Sequence, residues 1–360
     1  MHLYLLRDSV EKSDVLIAGA GPVGLYLAGL LEKSGLSVRL LEEHQKIGLP
    51  NHCSGLVSRN LDSFVKPREE WIEHKVSGAV FKAASSELRL EKRRTAAYVI
   101  DRTKFDAFLA SGLHSKIKLG ERVDSLKEGV SGHVQTDGMS VRTNKGFYKV
   151  DMLIGCDGAN SVVAKHFHSR PRKLLMGVIG ITPEENYSSD VEIIINKAHA
   201  RDGFFWRIPR GRTTEYGLFS SGADFLTLEN FFHHPKPLER RAGLIPIGPG
   251  KTYFERVLLV GDAASMSKPW SGGGLIYGLT AARIAAGVVK EAFQEGDFSE
   301  EFLIRYEKGW KAAFGRQIQV GMLGRNVFEN MGDFEVQAAL KCMSIFNPVL
   351  NGLDMDFLVR

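Results

Sequence analysis

The sequence predicts an α/β fold: a parallel sheet assembled from separated stretches of chain, a sheet-rich second layer and a short helical C-terminal region. Three observations carry this. A short apolar run leads into GAGPVG at residues 19–24 and then into a helix-like stretch. Two later strand-like runs end in GCDGANS (155–161) and GDAA (261–264). Between them, tracts such as VEIIINK and TTEYGLFSS read as strands.

Composition sets the outer bounds. The 360 residues are 44% hydrophobic and 25% charged, as in an ordinary globular protein. Glycine is in excess, with 38 residues against a usual share of roughly 7%. The excess has no collagen-like period and falls in clusters. A net charge of +5 over this length is too mild for a nucleic-acid partner. Cys53, Cys156 and Cys342 are too far apart for a disulfide framework or a close metal-ligand set, which favours a reducing, cytoplasmic setting. The opening MHLYLLRDSVEKSD does not read as a signal peptide, and no apolar run is long enough to span a membrane.

Taken in order, residues 14–18 (DVLIA) predict a buried parallel strand. In the turn that follows, Gly19 permits the tight bend, Gly21 lets a pyrophosphate approach the backbone and Gly24 lets helix and strand pack closely. The helix LYLAGLLEKSG is expected to close at Gly35, and residues 37–41 form the next strand. Glu42 then stands where a ribose-binding acid is expected. These features predict nucleotide binding, with the choice between NAD and FAD still open.

Residues 150–154 and 256–260 predict two further strands. Gly272, Gly273 and Gly274 precede a small-residue helix, LIYGLTAARIAAGVV. With DRTKFDAFLA, these segments resemble the FAD-dependent oxidoreductases built like the aromatic hydroxylases. The resemblance implies a discontinuous Rossmann-like FAD-binding domain at 12–65, 96–165 and 246–298. It implies cofactor contacts from Gly19, Gly21, Val23, Gly24, Glu42, Arg102, Val123, Asp157, Gly261, Asp262, Gly273, Gly274 and Leu275. Asp262 suits ribityl hydroxyls, and a helix start near Gly273 suits the N1/O2 edge of a reduced flavin. One departure is Ala164, where that family usually carries arginine.

Two segments narrow the resemblance. IGLPNHCSG, with Pro50, Cys53, Ser54 and Gly55, is similar to the Pro-x-x-Cys loop of the geranylgeranyl reductases, which covers the flavin. GFFWRIPR places Phe204, Trp206, Ile208 and Pro209 at their prenyl-side aromatic motif, though it is also similar to a segment of flavin halogenases. The resemblance implies hydride delivery from reduced-flavin N5 to a prenyl double bond, with Cys53, Trp206 and Phe204 as catalytic candidates. Positioning and water exclusion then carry much of the work, since such a bond is barely polarised. The bland alternatives are a small buried cysteine at Cys53 and ordinary sheet core for the aromatics. Cys156 reads as packing, His52 as a weak acid–base candidate, and His233–His234–Pro235 as a turn with no metal role.

Residues 66–95 and 166–245 are expected to form the substrate layer, and 299–360 to be helical to about Phe346, where FNPVLNG breaks the pattern. That tail is short for a lipid reductase, which predicts a smaller or more open pocket. The expected partners are a prenyl lipid and NAD(P)H or ferredoxin as electron donor, with peripheral membrane contact or simple packing for the ending LDMDFLVR. The rival functions are an FAD monooxygenase or halogenase acting on a small hydrophobic or aromatic substrate, and a non-catalytic flavin-binding protein.

Overall fold

The structure, a computed structural model, describes residues 11–127, 138–233 and 237–357. The first ten residues, His234, Pro235 and the last three residues lie outside it, and with them most of the N-terminal apolar stretch.

Strand Glu11–Ala18 lies inside an eight-stranded sheet, parallel to Val38–Glu42 on one side and Phe147–Gly155 on the other. Helices cover such a strand on both faces, so Val15, Leu16 and Ile17 are fully buried, which is why the segment reads as uninterrupted apolar sequence. The sheet continues outward through Val257–Leu259 to Tyr253–Phe254 at one edge and to Lys116–Leu119 at the other. Strand Met139–Thr143 joins Phe147–Gly155 to Val123–Lys127.

The first helix starts inside the glycine motif and runs Pro22–Glu32, closed by Lys33. Gly35 does not cap it; it sits in the turn beyond, at φ +79°. Helix Leu275–Glu295 packs beside it, with Gly278 set closely against Val23 and with Ala281, Ala282 and Ala285 buried. Small side chains there let two helix backbones come close.

A second sheet has seven strands in the order Glu239–Ile247, Lys173–Thr182, Thr214–Ser220, Phe204–Pro209, Asp190–Ile195, Gly78–Ala83, Ser86–Glu91. The two tracts expected as strands, VEIIINK and TTEYGLFSS, supply Asp190–Ile195 and Thr214–Ser220. Only the pair Asp190–Ile195 and Gly78–Ala83 is parallel. A small antiparallel sheet of Leu56–Ser58, Ala97–Ile100 and Ile72–Val76 stands apart from these two.

The C-terminal region is helical at Glu300–Trp310, Arg316–Asn330 and Asp333–Ile345, with a π-turn over Lys311–Gly315. FNPVLNG does not end helical structure: Asn347–Leu350 forms one more short helix, with a proline in its first turn, where no intrahelical N–H is needed. The chain then returns inward, and Asp356 is fully buried. No helix among the described residues is long and apolar enough to cross a membrane.

Candidate functional site

One cavity of about 1460 Å³ runs from the glycine turn to the seven-stranded sheet and out between the C-terminal helices. Exposed Val320, Met343 and Leu353 belong to its lining.

At the nucleotide end, Gly19 adopts φ +97°, and its backbone is pressed against Cys156 and Asp157. A Cβ on Gly21 would meet no protein atom within 4 Å, so this residue faces open cavity where an extended ligand can touch backbone. Glu42, at its strand end, accepts the Ala20 N–H at 3.0 Å and pairs with His44 at 2.7 Å. The carboxylate therefore also braces the turn.

Asp157 is half-buried. One oxygen accepts the Val162 N–H at 2.7 Å, while Oδ1 is buried with no partner among the described residues. Burial pushes its carboxyl up, against hydrogen bonds from Ser161 and the backbone. A buried, unpaired acceptor on the cavity wall is what a hydroxyl-bearing ligand would satisfy. Asp262 opens onto the cavity, and desolvation there pushes its carboxyl up, opposed by Ser267 and by the charge of Arg102. A Cβ on Gly274 would lie 2.7 Å from Asp262 Oδ1, so the carboxylate reaches the start of helix Leu275–Glu295 only because glycine is there. These open acceptors and bare backbone fit FAD, which when bound supplies hydride and electron transfer.

Arg102 holds Asp106 in a two-pronged pair at 3.0 and 2.9 Å. Burial would lower its pKa, but Asp106 and neighbouring Cys53 hold it above its usual value. Cys53 is half-buried; its Sγ accepts the Gly55 N–H at 3.4 Å, and its own N–H donates to Asn51. His52 is exposed at the cavity rim. Cys156 packs under the glycine turn, and burial pushes its thiol up, as does Asp157.

The far wall is apolar: Phe204, Trp206, Ile208 and Phe219 line it. The Trp206 ring lies flat on Gly217 of the neighbouring strand, where a Cβ would come within 2.0 Å of the indole. Phe205, one residue on and therefore on the other sheet face, instead stacks on Phe231 at 3.7 Å between ring centroids. Of the crowded aromatics, alternate ones thus face the cavity and the rest are core.

The lining brings together Gly19, Gly21, Val23, Glu42, Cys53, Ser54, Arg102, Val123, Asp157, Asp262, Gly273, Gly274, Leu275, Phe204, Trp206 and Ile208. It does not include Gly24, Gly261 or Pro209. Gly24 faces the Gly19 carbonyl, Gly261 packs on Val23, and Pro209 is buried at its strand end. Ala164 sits buried in helix Val162–His166, whose cap is Ser161. His233 caps helix Phe225–Phe232 in a left-handed conformation, and no cluster of metal-ligand type occurs among the described residues.

Sequence reading passed over four buried charges here. Lys268 lines the cavity and donates to Asp356 at 2.7 Å, and Glu215 pairs with Arg210 at 2.7 Å. Their signal was available: an acid between strand residues in TTEYGLFSS, and a lysine between small residues and Pro269 in GDAASMSKPW.

Comparison with known proteins agrees with this geometry. The FAD binding domain family matches residues 12–219. A digeranylgeranylglycerophospholipid reductase of Methanocaldococcus jannaschii is 24% identical over 99% of this chain and 96% of its own. The protein of that name in Methanococcus vannielii is 27% identical, over 92% and 91%. A geranylgeranyl bacteriochlorophyll reductase-like protein from Thermoplasma acidophilum has the same fold, with a TM-score of 0.83 at 21% identity over 97% of this chain and 94% of that one. The chain belongs to the FAD binding domain family and is an FAD-dependent oxidoreductase resembling the geranylgeranyl reductases.

Proposed function

We propose that this chain saturates carbon–carbon double bonds of a polyprenyl lipid. The observation that carries the reading is one continuous cavity, with acceptors and bare backbone at one end and an aromatic, aliphatic wall at the other. The names of the relatives support it. In this reading the residues do three things. Phe204, Trp206, Ile208 and Phe219 bind the chain and exclude water. The loop carrying Cys53 and Ser54 covers the reacting centre, and Cys53 or His52 stands close enough to the cavity to hold a proton. The electron donor is external, either NAD(P)H or ferredoxin.

Anaerobic incubation of the reduced protein with geranylgeranyl-bearing phospholipids tests this. The expected result, by mass spectrometry, is a gain of one H2 per double bond. Substrate-stimulated oxygen consumption without a saturated product would instead favour the monooxygenase or halogenase.

The cavity mouth suggests how such a substrate arrives. Exposed Leu323, Val327, Phe334, Ile345, Phe346 and Val349 lie on or beside the C-terminal helices whose Val320, Gly324, Leu340, Met343 and Leu350 line it. Beside them, the Glu91 N–H donates to Asn351 and Lys92 Nζ to the Leu353 carbonyl, which brings exposed Arg93 and Arg94 next to the tail. Apolar side chains flanked by cations suit an anionic bilayer surface. Phe346→Ser with Val349→Ser is expected to weaken sedimentation with phosphatidylglycerol vesicles at least about tenfold, the effect of removing two inserted apolar side chains. Equal binding of both proteins would discard the docking face.

A further inference from the structure

Trp206 and Cys53 both line the cavity, and a chain of polar contacts connects them. Glu215, fully buried on strand Thr214–Ser220, divides its two oxygens. Oε1 accepts the Trp206 indole N–H at 2.8 Å, and Oε2 accepts Arg210 Nη1 at 2.7 Å. The same Arg210 nitrogen donates to the Ser54 carbonyl at 2.6 Å, and Nη2 pairs with Glu73. Arg241, clamped by Glu239 at 2.6 and 2.9 Å, adds a contact to the Cys53 carbonyl at 3.4 Å. Burial pushes the Glu215 carboxyl up, while Arg210, the Trp206 indole and Arg241 pull it down.

A buried carboxylate is expensive, and an apolar pair could fill the same space at less cost. Its placement explains why it is here. Gly217 already fixes the plane of the Trp206 ring, so the remaining freedom is a slide within that plane, and the bond to Glu215 stops it. The other oxygen, through Arg210, holds the backbone of the Cys53–Ser54 loop. We infer that Glu215 is a positioning residue that keeps the Trp206 wall and the Cys53–Ser54 loop in register with each other. Its value to catalysis rests on the prenyl-reductase reading; the coupling itself does not.

The two oxygens allow the two arms to be separated. Glu215→Gln keeps an acceptor for the indole but loses the charge facing Arg210, whereas Glu215→Leu loses both. In the FAD-loaded full chain, iodoacetamide labelling of Cys53 is followed by peptide mass spectrometry, with exposed Cys342 as internal reference. Both variants are expected to raise the Cys53 to Cys342 ratio about tenfold, the change that follows loss of a charge-assisted hydrogen bond. The near-ultraviolet circular-dichroism band that disappears in Trp206→Phe should survive in Glu215→Gln and vanish in Glu215→Leu. If the Glu215 variants do not fold, Arg210→Lys serves in their place. A lysine cannot bridge Glu215, Ser54 and Glu73 together, so Cys53 labelling should rise while the Trp206 band stays. A labelling ratio within twofold of the parent in a folded variant overturns the inference. Neither readout needs turnover, so that result leaves the prenyl reading standing. Absence of prenyl reduction by the parent enzyme overturns only that reading.

Discussion

Replacing Asp356 by alanine is expected to lower unfolding free energy by about 3–5 kcal/mol, because it leaves the Lys268 ammonium buried without its partner. Asp356 is 0% exposed and takes three donors: Lys268 Nζ at 2.7 Å, Asn60 Nδ2 at 2.8 Å and the Ser58 hydroxyl. Tyr277 donates to its carbonyl, and Asp354 caps the Asp356 and Phe357 N–H groups while also taking Asn60. The carboxylate thus ties the C-terminal tail to the small sheet and the cavity wall, while the Asp356 main-chain carbonyl ties it to helix Leu275–Glu295. Urea titration measures the loss, and limited proteolysis should show the tail cut first. The double change Asp356→Leu with Lys268→Met removes both charges and should recover much of the stability. A single variant within about 1 kcal/mol of the parent would mean the pair is solvated in solution.

Gly24→Ala is expected to weaken FAD binding by about ten- to a hundredfold, the effect of roughly 1–3 kcal/mol of overpacking. Its Cβ would lie 2.1 Å from the Gly19 carbonyl oxygen, a backbone atom that cannot rotate away. The helix must then lift from the turn, and Gly21 and the first free N–H groups move with it. Gly21→Ala provides the contrast. Its Cβ meets no protein atom, so the apoprotein should keep its stability and lose FAD only through a clash with the ligand. Fluorescence titration with FAD and a melting curve of each apoprotein separate the two cases. Normal FAD affinity in Gly24→Ala would show that the turn has room the structure does not show.

The nucleotide end was legible because its chemistry is local. Strand, tight turn and helix occupy 22 consecutive residues from Glu11 to Glu32, and glycine there answers to backbone geometry that no distant residue alters. The boundaries still moved: the helix begins at Pro22, and Gly35 lies past its end. The aromatic segment 204–209 was legible only as a strand. Which rings face the cavity depends on the face of the sheet each occupies, so Trp206 lines it while Phe205 stacks on Phe231.

Long-range charge was not legible. Lys268 and Asp356 are 88 residues apart, and Arg210 reaches Ser54 across 156. Local sequence shows the individual charge but not its partner, because the pair's free energy comes from burial, and burial exists only after the sheets and tail have packed. The sequence alone settled the α/β class and the order of the glycine turns, since those rest on periodicity and backbone sterics. Tertiary structure decided which aromatics form the wall, how the C-terminal tail closes against the core and which buried charges hold loop and wall together. Each of these depends on which surfaces lose water together, and that is a property of the packed chain.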